Sequence, residues 1–334
     1  MAFYCAISNR YRTVCAILFP METLPEKLSG ILASAQNYQK AAEGAFAKNT
    51  ERARKADWLV FENWCDAHNG ISLPASVDVL VAFIDAQSEL KKVATVKRYL
   101  TTIATAHKVA GLKNPVRHEF VRLAMRRMAR KNGTRQDQAK GLNWPKIHLA
   151  LQLLEDSPRG LLDKALVCVS YDTLCRRSET IAIRVEDLSF HEDGSGSVHI
   201  IKSKTDQLGA GTVKYLSHTT VEHLQTWLAC AEISEGPVFR GLNRWHQVLP
   251  GALSGEGVSR SFKRIALATG LELSNMSGHS TRVGAAQDLV AAGIDMPAIM
   301  QAGSWTTPER IARYSEKLQV KRGGMAQLAA MQRR

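Results

Sequence analysis

Apolar residues recur at helical spacing along most of this chain. Between residues 50 and 131 they return every three or four positions among charged and polar neighbours, which is typical of amphipathic helices. Thr50 is expected to cap the first of these helices, which carries Trp58, Phe61 and Trp64 on one stripe and ends near residue 69. The pattern therefore predicts a helical N-terminal half.

Three more helices are predicted in this half, beginning near Pro74, Thr95 and Pro115. Their apolar faces are expected to hold Val77, Leu80, Val81 and Ile84 in the first, Val96, Leu100, Ile103 and His107 in the second, and Phe120, Val121, Ala124, Met125 and Met128 in the third. Basic residues cover much of the remaining surface of the last two helices.

The second half is also mainly helical, with one segment of strand. Residues 195–218 place β-branched residues on both sides of Gly209 and Gly211, which predicts a hairpin or a small sheet. Helices are predicted from about Trp144, Leu161, Thr220, Ser259, Ser280, Pro297 and Pro308. The expected fold class is therefore mainly α with a small antiparallel β-sheet.

Two domains joined by a linker account for the length of 334 residues, since domains average about 100–200 residues. Residues 132–143 are polar and charged and form the predicted linker. Residues 1–22 are predicted to be an arm of unknown structure, which leaves domains at 23–131 and 144–334. The second domain ends in a predicted tail helix with Met325, Leu328 and Met331 on one face.

The net charge of the chain is +13, and residues 51–140 carry 17 Lys and Arg against 9 Asp and Glu. This surplus favours a polyanionic partner, although a solvated basic face is an equally good interpretation of any single helix. Two basic helices in one bundle favour nucleic acid. The residues expected to contact it from this half are Lys97, Arg98, Arg122, Arg126 and Arg130.

Composition excludes other classes of protein. No apolar run reaches the roughly 18 residues that a membrane span needs. The six cysteines are scattered without a CxxC pair, which indicates reduced thiols in a cytosolic protein and neither a disulfide framework nor a metal site.

Two motifs carry side chains suited to anion chemistry. In SGHSTRVGAAQD, Ser277 is expected to cap a helix whose first turn holds His279 and Arg282 on one face. A helix N-terminus with an imidazole and a guanidinium is a ready anion site. In YDTLCRRSE, Arg176 follows an apolar stretch and needs either a buried carboxylate or an anion.

Two further motifs are weaker by themselves. Lys204 lies in the predicted hairpin, where a lysine is usually solvated, and Lys202 is an equally good candidate by chemistry alone. In GSWTTPERIARYSEK, Pro308 begins a helix that carries Tyr314 nine residues after Trp305. Each of these side chains, taken singly, has an ordinary structural explanation.

Taken in order, these motifs resemble the tyrosine recombinase (phage integrase) family, and its Cre-type members above all. The segments that carry the resemblance, in order and at near-identical spacing, are YDTLCRRSE, IRVEDL, SGHSTRVGAAQD, IMQAGSW and RYSEK. The resemblance covers nearly the whole chain beyond the first twenty or so residues. It implies a helical core-binding domain over 23–131 and an α+β catalytic domain over 144–334.

The resemblance also implies roles for individual residues. Tyr314 is the expected nucleophile, which attacks a DNA phosphodiester and forms a 3′-phosphotyrosyl link. Arg176 and Arg282 would bind the non-bridging oxygens, whose charge grows in the transition state. Lys204 would protonate the 5′-oxygen leaving group.

The remaining members of the set have supporting roles by the same resemblance. His279 would contact the phosphate and assist proton movement at the tyrosine, and Glu179 would orient neighbouring groups. Trp305 stands where most of the family has histidine, and its indole can donate a hydrogen bond but cannot transfer a proton. Arg260 and Lys263 are the expected DNA contacts of the second domain.

The sequence thus predicts a site-specific DNA recombinase that needs neither a metal nor another cofactor, in a bacterial, phage or plasmid setting. Its expected partner is duplex DNA with inverted-repeat half-sites, bound by a homodimer at each site and a homotetramer in the synapse. A type IB topoisomerase and a catalytically idle DNA-binding protein remain the alternatives. Glu256 differs from a base-reading arginine of the Cre-type members, so the target sequence is left open.

Overall fold

The computed structural model describes residues 34, 37, 38, 40–201, 211–320 and 323–334. The predicted arm over 1–22 lies outside these residues. The chain divides into two compact units between Gln136 and Asp137, and each unit has a hydrophobic core of its own.

Four long helices build the described part of the first unit. They are α1 (Lys48–Ala67), α2 (Val77–Ser88), α3 (Val93–Val109) and α4 (Glu119–Asn132), with a turn of 3₁₀-helix at Pro115–Arg117 between the last two. Helix α1 packs against α3, and α2 packs against α4. The helical pattern predicted for this half is confirmed, but the prediction that Thr50 caps α1 is wrong, because the helix already begins at Lys48.

The predicted apolar stripes form the core of this unit. Trp58 and Phe61 of α1, Leu80 and Ile84 of α2, and the whole predicted face of α3 are buried. Ser76 caps α2, since its Oγ accepts a hydrogen bond from the amide of Val79 at 3.2 Å. Periodicity therefore predicts both α2 and α3, while a side-chain cap begins α2 alone of the two.

Phe120 is the exception, because it is 60% exposed while Val121, Ala124 and Met128 are buried. Helix α4 begins only at Glu119, with His118 as its cap, so Phe120 lies in the first turn at the edge of the apolar stripe. There its ring contacts the His118 imidazole edge-on, with centroids 5.0 Å apart. The prediction that Phe120 belongs to the buried face is wrong.

Besides a turn of 3₁₀-helix at Val185–Asp187, the described residues of the second unit form ten α-helices and five strands. In chain order they are α5 (Trp144–Leu153), α6 (Pro158–Asp172), α7 (Arg177–Thr180), β1 (Leu188–Phe190), β2 (Gly196–Ile200), β3 (Thr212–Leu216), α8 (His218–Cys230), β4 (Arg240–Leu242), β5 (Val248–Ala252), α9 (Gly255–Ala268), α10 (Ser280–Ala291), α11 (Met296–Gly303), α12 (Glu309–Tyr314), α13 (Glu316–Val320) and α14 (Gly324–Met331).

Two antiparallel sheets lie within this unit. Strands β1, β2 and β3 form one sheet in that order, with Val198 of β2 opposite Lys214 of β3. Strands β4 and β5 form a separate hairpin. The β2–β3 pair confirms the predicted antiparallel sheet, whereas β1 and the β4–β5 hairpin are additions that the sequence pattern did not indicate.

Helix α6 is the centre of the second unit. Its residues from Gly160 to Ser170 are all buried, and α8, α9 and α10 pack against it. One ion pair is built into this core: Arg264 of α9 donates two hydrogen bonds of 2.6 Å to the carboxylate of Asp163, which is fully buried. Two parallel bonds compensate for burial of the charge.

Part of the predicted linker runs along the second unit. The Lys140 amide donates to the carbonyl of Asn275 at 3.1 Å, and the Leu142 amide donates to that of Ser280 at 2.8 Å. Leu142 is fully buried. A Cβ on Gly284 of α10 would overlap the Leu142 carbonyl, so glycine is required at this close approach.

No helix in the described part of the chain is long and apolar enough to cross a membrane.

Candidate active site

The start of α10 brings His279 and Arg282 together. Helix α10 begins at Ser280, and His279 occupies its N-cap position. Ser277, predicted to be the cap, instead accepts a hydrogen bond from the His279 amide at 3.3 Å in the preceding turn. The prediction for Ser277 is therefore wrong by two residues, because the chain turns once more before the helix starts.

Arg282 is the most buried cation of the group, with 4% of the residue exposed. Its guanidinium donates to the carbonyls of Leu174 and Gly303, the latter at 2.6 Å. Burial, and then the positive charge of Arg176, lower the pKa of Arg282 to about 10. Two of its five N–H groups are thus fixed on backbone acceptors, which sets the plane of the guanidinium.

Arg176 follows the end of α6 and lies near the Arg282 guanidinium. It lies in extended backbone immediately before α7, and its guanidinium donates to the Glu179 carboxylate at 2.7 Å. The second oxygen of Glu179 accepts from the Arg176 amide at 2.8 Å. A buried carboxylate therefore holds both the backbone and the guanidinium of Arg176.

His279 lies near these two guanidiniums. Partial burial, followed by the charges of Arg282, Arg177 and Arg176, lowers the pKa of its imidazole, although the residue keeps an exposed side. A cationic imidazole is disfavoured beside three other cations. The lowered pKa favours the neutral imidazole, which is the form that can accept a proton.

A tight turn at the end of α11 positions Trp305. Ser304 has φ +50° and ψ +47°, a left-handed conformation that reverses the chain after Gly303. A Cβ on Gly303 would overlap the indole ring, so glycine is required at this close approach. The indole is 8% exposed and lies with its ring 4.2 Å from the central guanidinium carbon of Arg282.

Tyr314 ends α12 beside this tryptophan. The ring centroids of Trp305 and Tyr314 are 6.2 Å apart, in an edge-on arrangement. The Tyr314 carbonyl accepts from the side chain of Gln287 at 2.9 Å and from that of Gln138 at 3.4 Å. Backbone anchoring of this kind holds the end of α12 while leaving the phenol half-exposed.

Lys204 lies outside the described residues, as does Lys202. A different lysine, Lys214 of β3, is 9% exposed and lies near Arg176 and Arg282. Sequence reasoning missed it. The available signal was strand alternation, since Lys214 and buried Leu216 share one face of β3 while Val213 and Tyr215 are exposed on the other.

The arrangement suits a phosphate anion. Two arginines and a histidine at a helix N-terminus provide donors for its oxygens, and a tyrosine hydroxyl is held beside them. No cluster of His, Cys, Asp or Glu that could hold a metal ion occurs among the described residues.

The predicted DNA-contacting residues are distributed over α3, α4 and α9, and all of them are exposed. Their local partners differ. Arg98 donates two hydrogen bonds to the buried carboxylate of Asp57, at 2.7 and 2.8 Å, while Arg122 forms an exposed ion pair with Glu119 at 3.1 Å. Arg98 is thus already engaged in holding α1 to α3.

Comparison with known proteins gives consistent matches. The sequence model of the phage integrase family matches residues 142–320. An integrase/recombinase XerD homolog of Selenomonas ruminantium is 32% identical over 289 residues, which is 84% of each chain. Recombinase Cre of Escherichia phage P1 is 29% identical over 303 residues, covering 85% of this chain and 88% of Cre.

Among solved structures, XerH site-specific recombinase bound to palindromic difH DNA, in a post-cleavage complex, has the same fold. Its TM-score is 0.59 at 15% identity, with 97% of this chain and 95% of XerH covered. The family model covers more than half of this chain, and the XerD homolog is 32% identical over most of it. This chain therefore belongs to the phage integrase family of tyrosine recombinases.

Proposed function

We propose that this chain is a site-specific DNA recombinase that cleaves and rejoins DNA through a covalent link to Tyr314. Its family consists of enzymes that break and rejoin DNA, and strand exchange would proceed through a Holliday junction. The observation that carries the assignment of the nucleophile is the contact of Arg282 with Trp305, whose ring lies beside Tyr314.

The reaction is a phosphoryl transfer. The Tyr314 Oη attacks the phosphorus of a backbone phosphodiester, a P–O bond to the tyrosine forms, and the bond to the 5′-oxygen breaks. Negative charge accumulates on the non-bridging oxygens in the transition state, where Arg176 and Arg282 stabilise it. Attack by a 5′-hydroxyl on the phosphotyrosyl link reverses these steps, so no cofactor is consumed.

Two protons move in each cleavage. His279, in its neutral form, assists removal of the phenolic proton from Tyr314. Lys204 supplies the proton that the 5′-oxygen takes up on leaving. Glu179 holds Arg176 through two hydrogen bonds, so the guanidinium is oriented before DNA arrives.

The first unit contributes phosphate contacts through its basic surface, defined as Lys97, Arg98, Arg122, Arg126 and Arg130. Arg260 and Lys263 on α9 contribute from the second unit. Phosphate contacts of this type give affinity and position, while target choice requires base contacts.

The proposed DNA target is a pair of inverted half-sites, each bound by one subunit. A homodimer at each site and a homotetramer in the synapse follow from that symmetry, and the palindromic DNA in the XerH structure supports it. Helix α14 is the proposed contact between subunits, since Met325, Leu328 and Met331 are 68%, 40% and 80% exposed. The proposed setting is the cytoplasm of a bacterium, where the enzyme acts on chromosomal, phage or plasmid DNA.

The test is covalent capture. The protein is incubated with nicked suicide duplexes made from DNA that flanks its own gene, and a protein–DNA adduct is sought on denaturing gels. We expect an adduct that Tyr314→Phe abolishes. Tyr215→Phe is the matched control, because Tyr215 is an exposed tyrosine of the same unit and the adduct should persist.

The same reaction separates the alternatives, neither of which the comparisons favour. Recombinant products from two intact sites identify a recombinase. An adduct with relaxation of supercoils but no recombinants would identify a type IB topoisomerase. Absence of any adduct on every candidate site would identify an idle DNA-binding protein.

A further inference from the structure

Lys214 is a buried lysine that the reaction described above does not use. It lies on β3, opposite Val198 of β2, and faces inward between Val213 and Tyr215, which are 69% and 64% exposed. A lysine on the inward face of a strand is uncommon unless its ammonium has partners.

The partners of Lys214 are all at the end of α11. Its Nζ donates to the carbonyl of Ala302 at 2.6 Å, to the Oγ of Ser304 at 2.8 Å and to the carbonyl of Gln301 at 3.2 Å. An ammonium has three N–H donors and no acceptor. The three partners belong to one turn of the chain, and the ammonium has enough donors to bind all of them at once.

These acceptors belong to the C-terminal end of a helix, where carbonyls lack partners within the helix and the dipole is negative. Arg282 binds the same end through the carbonyl of Gly303. Lys214 and Arg282 thus both donate hydrogen bonds to residues 301–304. The next residue is Trp305.

Lys214 has charged neighbours of both signs. Burial, together with Arg282 and Arg176, lowers the pKa of Lys214, while Cys175 and Glu179 act to raise it. Burial opposes the charged form of Lys214, whereas the backbone carbonyls at the end of α11 that accept its hydrogen bonds favour it. Donation of a proton to a leaving group would remove one of these bonds, so Lys214 is unsuited to act as the general acid.

We propose that Lys214 is a positioning residue for DNA cleavage: its ammonium fixes the turn over residues 301–304 and thereby places Trp305 between Arg282 and Tyr314. The inference rests on the proposed function, since it concerns the geometry around the nucleophile. It predicts that loss of the ammonium displaces the indole without removing any group that touches DNA.

The first measurement follows the Trp305 indole directly and needs no DNA. The emission of Trp305 is isolated by subtracting the spectrum of a Trp305→Phe variant from that of its parent, once for the wild-type chain and once for Lys214→Met. We expect the isolated emission to shift to longer wavelength in Lys214→Met, because the indole leaves its buried position. An unchanged emission would overturn the proposal, whatever the activity.

The second measurement follows adduct formation in single turnover on the suicide duplex. Lys214→Met should slow the reaction on the order of 10²-fold, since small misplacements in an active site have effects of this size, with little change in DNA affinity. Lys214→Arg should restore much of the rate because it keeps a charge and several donors. Ser304→Gly, which removes one acceptor and suits the left-handed backbone, should give a milder loss.

Lys164→Met is the matched control. Lys164 is also a buried lysine of the second unit, but its Nζ binds Asp156 at 2.6 Å, so its loss should leave the adduct rate per folded molecule unchanged. In a Trp305→Phe background, Lys214→Met should cost little further rate. A full additional cost there would show that Lys214 acts independently of Trp305 and would overturn the proposal.

Failure of the proposed function gives a different result. In that case the wild-type chain forms no adduct that depends on Tyr314, while the fluorescence comparison still reports whether Lys214 places Trp305.

Discussion

The indole of Trp305 lies between the guanidinium of Arg282 and the phenol of Tyr314, 4.2 Å from the guanidinium carbon and 6.2 Å, centroid to centroid, from the phenol. The cation lies over the face of the indole, and the two aromatic rings are steeply inclined to each other. Trp305 thus sets the spacing between a phosphate-binding group and the nucleophile. We therefore expect the residues that pack around Trp305 to affect the cleavage rate, as the reacting groups do.

Gly303→Ala should impair cleavage through this contact. A methyl group at residue 303 would overlap the indole, so Trp305 must shift away from Arg282 and Tyr314. We expect adduct formation to slow at least about 10-fold while DNA affinity is retained. Gly251→Ala serves as the control, because a Cβ there meets open space. Equal rates for the two variants would contradict this account.

Arg282→Lys should be far more damaging than conservation of charge suggests. The guanidinium binds two carbonyls and has N–H groups left for phosphate oxygens, whereas a lysine cannot span both carbonyls. Single-turnover cleavage should fall about 10²- to 10³-fold.

A second arginine of the same unit provides the comparison. Arg264→Lys also breaks a two-bond contact, with the buried carboxylate of Asp163. It should lower thermal stability but leave the adduct rate of the folded protein nearly unchanged. Similar rate losses in both variants would mean that Arg282 acts through stability alone.

The cleavage rate at limiting DNA should fall on acidification, and His279 should be responsible. The neutral imidazole assists proton removal, and its pKa in the free protein is below the ordinary histidine value because of burial and three nearby arginines. The inflection should therefore lie below that ordinary value in a profile taken from about pH 5 to 8. His279→Gln should be slower and lack this inflection; the same acid limb in the variant would exclude His279 as its source.

The salt dependence of DNA binding should identify the side chains of α4 that bind phosphate. Removal of one lysine or arginine that neutralises a phosphate lowers the slope of log K against log salt by about 0.9. We expect this decrease for Arg126→Ala. Arg127→Ala on the same helix is the control, since Arg127 pairs with Asp85 at 3.1 Å and should change the slope less. An identical slope in wild type and Arg126→Ala would remove Arg126 from the DNA interface.

Periodicity predicted the first unit well because its helices bury a single stripe each. In α3, Val96, Leu100 and Ile103 are at most 5% exposed, and His107 continues the same buried face. Phe120 was mispredicted because sequence does not show that a turn of 3₁₀-helix precedes α4. Position within the first turn, and not hydrophobicity, decides its exposure.

The second unit was harder to predict in two places. Strands β4 and β5 are short, and β5 contains Pro250 and Gly251, which weaken any strand signal. Lys214 was missed because a lysine on a strand is normally solvated. The ordered motifs predicted the other described members of the site, since their resemblance depends on order and spacing along the whole chain and not on any single residue.

The segment over 137–142 enters the second unit and also supports its reactive elements. Gln138 binds the carbonyl of Tyr314, the Lys140 amide binds that of Asn275, and the Leu142 amide binds that of Ser280. A fragment that began at Asn143 would therefore lack three anchors of the site and would leave a cavity where Leu142 is buried. A fragment of the second unit that keeps all three anchors must begin at or before Gln138.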